Sequence, residues 1–208
     1  VLSVAEMKAA VDRARDLGAL VASDECYAEL GWGEWEGKTT PCILDPAICG
    51  DSTDGVLAVY SLSKQSNMAG YRAAFAAGSK DLVKGLVNLR MHSGLNTPAL
   101  AQKAMIAALN DDSHVQVQKD IYRARRSELL DAVVSYGFEV AESSAGLYLW
   151  ATLGEDCWKT VDRMADLGIV VVPGEFYTLD PSQYVRFSIT ATDSAITEGA
   201  KRLREAIN

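Results

Sequence analysis

The chain has 208 residues, 49% of them hydrophobic and 23% charged, with a formal net charge of −8. That composition supplies a buried core for one large or two small domains and lacks the low-complexity bias of a disordered segment. The acidic balance excludes a broad nucleic-acid surface, which needs a basic face, but leaves room for a local basic pocket.

Ser3-Val4-Ala5-Glu6 is a capping box, and Val4, Met7, Val11, Ala14 and Leu17 share one helical face that ends at Gly18. Ala19 to Ser23 predicts a strand, with Asp24-Glu25-Cys26-Tyr27 at its end. Residues 30–54 carry Gly, Trp, Pro, Asp and Thr without periodicity and predict loop, with Trp32 and Trp35 either lining a pocket or packing the loop down. Val56 to Tyr60 is a short apolar, β-branched run expected as a buried strand. Ala73 to Gly78 predicts another strand, and Ser79 caps a helix to about His92. The Asn96-Thr97-Pro98 turn starts a helix with Pro98 at its first position, ending near Asn110.

Asp111-Asp112-Ser113 opens a long amphipathic helix to about Ser135, closed by Gly137. Its Arg123, Arg125 and Arg126 read as a solvated face with acidic neighbours. Strands follow at Phe138–Val140, Leu147–Trp150, Ile169–Val172 and Tyr184–Ile189, with helices from Asp156 to Leu167 and Asp193 to Ile207. The first half has the βα rhythm of a parallel sheet; the second is a small α+β unit of ordinary domain size.

Cys26, Cys42, Cys49 and Cys157 form no CxxC pair and lack the density of a disulfide scaffold, which points to reduced thiols. His92 and His114 do not make a zinc site. No apolar run reaches bilayer length and the first residues lack a signal-peptide layout. The expectation is a cytoplasmic protein with neither nucleic acid nor membrane as partner.

Chemistry concentrates in Ser61-Leu62-Ser63-Lys64-Gln65-Ser66-Asn67-Met68-Ala69-Gly70-Tyr71-Arg72, which emerges where the Val56–Tyr60 strand ends. In an open α/β sheet that is where ligands bind. Ser61 and Ser63 offer hydroxyls, Arg72 a planar fork suited to phosphate, and Gly70 a backbone free to turn. Lys64 among them is an amine able to form a Schiff base with an aldehyde cofactor. Asp24, taken alone, serves equally as a cap or turn residue. Arg186, on a strand with Val185, Phe187 and Ile189, is too costly to bury unpaired, so it either reaches water or meets an anion.

This spacing resembles the cofactor-lysine signature of class I and II aminotransferases, the fold-type-I pyridoxal-phosphate enzymes. The resemblance implies an α/β fold. Residues 1–111 would be the C-terminal part of the large, mostly parallel-sheet, cofactor-binding domain, and residues 112–208 the linking helix and small C-terminal α+β domain. It implies pyridoxal 5'-phosphate held by Lys64, with Ser61, Ser63 and Arg72 on its phosphate. Asp24 and Tyr27, as an Asp-x-x-Tyr element, would meet its ring nitrogen and phenolic oxygen, and Arg186 would clamp the substrate α-carboxylate. Catalysis then falls to Lys64, Asp24 and Tyr27, on amino-acid and ketoacid substrates, in a homodimer with shared active sites.

More narrowly, Gly146-Leu147-Tyr148-Leu149-Trp150-Ala151-Thr152, Gly154 to Trp158, Pro173-Gly174-Glu175-Phe176-Tyr177 and Thr190 to Asp193 are similar to the actinobacterial N-succinyldiaminopimelate branch of the family. That similarity implies glutamate as donor and a place in lysine and diaminopimelate biosynthesis. Family members carry a phosphate-binding glycine loop, a ring-stacking aromatic and an Asn-Pro-x-x-Pro-Thr-Gly segment before the equivalent of Val1. The expectation is a C-terminal part that is inactive alone and partners an N-terminal part of the same protein. Alternatives are another aminotransferase branch, of aspartate or alanine type, and the aminotransferase-like effector domain of a transcription regulator.

Overall fold

The computed structural model describes residues 1–178 and 182–207. The chain divides into two compact units, Val1–Gln118 and Lys119–Asn208, each built on its own sheet.

In the first unit, α1 (Val4–Asp16) starts on the capping box. The Ser3 hydroxyl accepts from the Glu6 N–H at 3.3 Å, and the Glu6 carboxylate accepts from the Ser3 N–H at 2.8 Å. Met7 and Val11 pack against Ile43, Ile48, Val56 and Ala58; Val4 and Leu17, expected on the same face, are exposed. β1 (Val21–Asp24) runs parallel to β2 (Val56–Ser61), with Asp24 opposite Val59. The strand therefore starts later than its apolar run suggested, and Asp24 is its last residue. The segment expected as loop holds a 3-10 turn at Gly33–Trp35 and a one-turn helix, α2 (Pro46–Cys49), capped by Asp45. Trp32 is 2% exposed and packs that segment down.

β3 (Ala74–Gly78) pairs antiparallel with β2, giving a mixed sheet in the order β1-β2-β3. A parallel return needs a crossover of a dozen or more residues, usually with a helix across the sheet. Residues 62–73 form only single turns, α3 (Leu62–Gln65) and a 3-10 turn at Ala69–Tyr71, so the chain doubles back. α4 (Lys80–His92) follows Ser79, whose buried side chain makes no capping bond, contrary to expectation. α5 (Ala99–Leu109) has Pro98 at its N-cap position, not inside its first turn. α6 (Ser113–Tyr136) ends before Gly137, which adopts φ 110°.

The second unit holds an antiparallel sheet in the order β4-β5-β7-β6, from β4 (Glu139–Ala141), β5 (Tyr148–Thr152), β6 (Val172–Pro173) and β7 (Tyr184–Ser188). Strand alternation buries Leu149, Ala151, Val185 and Phe187 on one face and puts Tyr148, Trp150, Tyr184 and Arg186 on the other. α7 (Cys157–Asp166) and α8 (Asp193–Glu205) are capped by Asp156 and Thr192 and contribute Met164, Ile196, Ala200 and Leu203 to the core. The expected strand from Ile169 shrinks to Val172–Pro173, and Val170 is 95% exposed. An apolar, β-branched run pairs only where a neighbouring strand is present to receive it. Arg126 departs from the expected solvated face and donates to the Ser143 carbonyl at 2.8 Å. Among the described residues no helix is long and apolar enough to cross a membrane.

Candidate active site

The end of the parallel pair β1–β2 organises the first unit's polar groups. β2 runs directly into α3, and Ser61 is both the last strand residue and the helix cap. Its hydroxyl accepts from the Ser63 N–H at 3.2 Å and lies 2.8 Å from Ser63 Oγ and 3.3 Å from the Ala73 carbonyl. Lys64 sits in the single turn of α3, with Nζ 5.8 Å from the centre of the Tyr27 ring. Gln65 is buried and accepts from the Tyr60 hydroxyl. Burial, with the charges of Glu29 and Glu25, pushes that phenol up to about 12, so it stays a donor.

Asp24 closes β1 with one carboxylate oxygen accepting from the Cys26 N–H at 3.1 Å. Cys26 feels the charges of both Asp24 and Lys64. Burial pushes its thiol up to about 11, the Asp24 hydrogen bond and charge add to the rise, and the Lys64 ammonium opposes it. The thiol is half-buried and protonated at neutral pH.

Two non-glycine residues in the left-handed region flank the segment after the lysine, Asn67 at φ 52° and Arg72 at φ 51°. Each such residue costs roughly 1–2 kcal/mol, and strain of this kind collects at functional sites. Gly70, expected to supply the turn, has no positive φ, and a Cβ there would meet nothing within 4 Å. Arg72 is exposed; its Nη1 donates to the Ala69 carbonyl at 3.1 Å, and among the described residues it has no acidic partner. Leu62, Met68 and Ala73 anchor the loop in the core, packed by Ala104, Met105 and Ala108 of α5. Two further bonds, invisible in the sequence, tie it to α6: Ser66 Oγ to His114 Nε2 at 2.8 Å and Asn67 Nδ2 to Gln118 Oε1 at 2.7 Å.

These groups form a donor set suited to pyridoxal phosphate. An amine, a strand-end carboxylate, a tyrosine, two serine hydroxyls and an arginine without an acidic partner among the described residues lie toward one end of a sheet. Lys64, Asp24, Tyr27, Ser61, Ser63 and Arg72 all belong to this unit.

Arg186 belongs to the second unit, on the face of β7 opposite its core side chains and across from Trp150 of β5 and Val172 of β6. Its guanidinium carbon lies 4.0 Å from the Tyr148 ring centre and 5.2 Å from that of Tyr177. Its Nε is buried without a hydrogen-bond partner. Neither tyrosine was singled out from sequence; their positions in Leu147–Trp150 and Pro173–Tyr177 were the available signal.

The family described as aminotransferase class I and II matches residues 1–203. The chain is 50% identical over 203 residues to the 4-dedimethylamino-4-oxo-anhydrotetracycline transaminase OxyQ of Streptomyces rimosus, covering 98% of this chain and 55% of that protein. It is 31% identical over 201 residues to an LL-diaminopimelate aminotransferase of Aquifex aeolicus, covering 95% of this chain and 50% of the relative. An aminotransferase structure from Neisseria meningitidis superposes with a TM-score of 0.87 at 27% identity, covering all of this chain (100%) and 54% of the other. The chain thus spans about half the length of the curated relatives it matches. It belongs to the class I and II aminotransferases.

Proposed function

We propose that the protein containing these residues is a pyridoxal-phosphate-dependent transaminase that takes its amino group from glutamate. The amino acceptor in this reading is N-succinyl-2-amino-6-ketopimelate, in diaminopimelate and lysine biosynthesis. The observation that carries it is the placement of Lys64 Nζ over the Tyr27 ring, with Asp24 closing β1 at the same end of the β1–β2 pair. When bound, the cofactor supplies an electron sink that acidifies the substrate α-carbon.

The chain's residues do the rest. Lys64 would hold the cofactor through its Nζ, and the same amine, once free, would take the proton from the substrate α-carbon. Asp24 supplies the negative charge that keeps a proton on the cofactor ring nitrogen. Tyr27 donates its hydroxyl to the phenolic oxygen. Ser61, Ser63 and Arg72 hold the phosphate, and Arg186 receives the substrate α-carboxylate bidentately. In the same reading the working unit is a cytoplasmic homodimer. Leu86, Val87, Leu89 and Met91 of α4, 39–62% exposed, are apolar surface such an assembly would cover.

The choice of acceptor is supported by the diaminopimelate-type relatives and by the Gly146–Thr152 and Pro173–Tyr177 segments. A second reading, an oxo-anhydrotetracycline-type ketone, is favoured by the 50% identity to OxyQ and by the stacked Trp150 and Tyr184 rings. Steady-state assays of the full-length protein with glutamate and each acceptor test the choice. The first reading expects a specificity constant for the succinylated ketopimelate well above those for the tetracycline ketone, oxaloacetate and pyruvate. A preference for any of these moves the protein to another branch.

A further inference from the structure

Among the described residues Arg186 is held by aromatic rings and not by acids. β7 alternation puts it on the face of the sheet opposite the core side chains, where the side chains of its cross-strand neighbours Trp150 and Val172 offer no hydrogen-bond acceptor. Among the described residues its guanidinium has no hydrogen-bond or carboxylate partner, and Nε is buried. Its contacts are the Tyr148 ring at 4.0 Å and the Tyr177 ring at 5.2 Å.

Both rings are themselves fixed. Tyr148 lies in β5, paired with Ser188. Tyr177 follows a 3-10 turn at Gly174–Phe176 that approaches β7 because residue 174 lacks a Cβ; one built there would run into the Ser182 hydroxyl and the Tyr184 carbonyl. The Tyr177 ring meets Trp150 edge-on at 5.7 Å, and Trp150 stacks on Tyr184 at 5.6 Å and 5°.

An acid beside an arginine would orient the guanidinium but also cancel the charge that an incoming carboxylate meets. Ring faces orient it through cation–π attraction and leave the charge in place. We propose that Tyr148 and Tyr177 are positioning residues: their faces hold the Arg186 guanidinium with Nε inward and its two terminal nitrogens presented to one carboxylate. This rests on the reading of Arg186 as the receptor of the substrate α-carboxylate.

The experiment compares Tyr148→Leu, Tyr148→Phe, Tyr177→Leu, Tyr177→Phe and Arg186→Lys in the full-length, cofactor-loaded protein. It measures the Kd of the unreactive dicarboxylate maleate by calorimetry, together with KM, kcat, cofactor content and Tm. Each leucine variant is expected to weaken maleate and raise KM for donor and ketoacid together by about three- to tenfold, with kcat and cofactor content close to wild type. Each phenylalanine variant, which keeps the ring face, is expected within about twofold of wild type. Leucine variants that bind maleate normally while Arg186→Lys binds it weakly would overturn the positioning role alone. Normal binding by Arg186→Lys would overturn the Arg186 reading beneath it. Phenylalanine variants as weak as leucine would assign the effect to the hydroxyls and overturn the ring mechanism. If Tyr148→Leu lowers Tm by several degrees, the Tyr177 pair decides, since that ring is 54% exposed and carries little of the core.

Discussion

Ser66 and His114 are hydrogen-bonded at 2.8 Å across forty-eight positions of sequence, Oγ to Nε2. One helical turn further along α6, Gln118 accepts from Asn67 at 2.7 Å, so two side chains at i and i+4 grip consecutive residues just after Lys64. The lysine stands on a single helical turn, which has little stability of its own. His114→Ala combined with Gln118→Ala is expected to lower kcat about tenfold, while KM for both substrates changes little. Rapid kinetics of the double variant check this; a KM effect larger than the kcat effect would assign the pair to substrate binding.

Arg72 and Arg186 are expected to fail differently. Arg72→Ala removes the cation that would meet the cofactor phosphate and should release cofactor, read as a raised dissociation constant in an absorbance titration. Arg186→Lys keeps the charge but loses the bidentate fork, so it should raise KM for donor and ketoacid with little loss of cofactor. Equal cofactor loss in both variants would contradict the division.

Strand β5 offers a test of register. Leu149 is 0% exposed on the core face, and Leu149→Ala should cost about 2–5 kcal/mol of stability through the cavity it leaves. Trp150, one residue on and facing the opposite way, should cost less when changed to leucine while altering ligand affinity. Urea unfolding of both variants checks the alternation; comparable losses would place both side chains in the core.

The Cys26 thiol should react slowly at neutral pH. Its value is raised by burial to about 11, with Asp24 adding to the rise, and only the thiolate is nucleophilic. Alkylation by iodoacetamide is therefore expected to accelerate as pH climbs toward 11, and Asp24→Asn should shift the curve to lower pH. Rapid labelling at pH 7 would contradict the environment described for it.

What the sequence made legible was local. The capping box at Ser3 and Glu6, the apolar run from Val56 and the Ser61-to-Arg72 motif each carry their information within a dozen neighbours, and each stands where that information put it. What was hidden depends on the rest of the fold. Nothing near Ala74 says that β3 turns back antiparallel; the connection decides it, folding into single turns and not a crossover helix. Ile169 to Val171 have strand chemistry but no neighbour in register. Gly70 looked like the turn residue, while Asn67 and Arg72 take the left-handed positions because packing of Leu62, Met68 and Ala73 fixes the loop around them. His114, Gln118, Tyr148 and Tyr177 acquire meaning only from what folding brings beside them.

The central claim is that Lys64 carries the cofactor, and reduction of the full-length holoenzyme with borohydride followed by peptide mapping tests it most directly. The account predicts a pyridoxyl mass on the peptide containing Lys64, and a Lys64→Ala protein that folds with wild-type Tm but takes no label and does not transaminate. A label on any other lysine, or transaminase activity in Lys64→Ala, would contradict it.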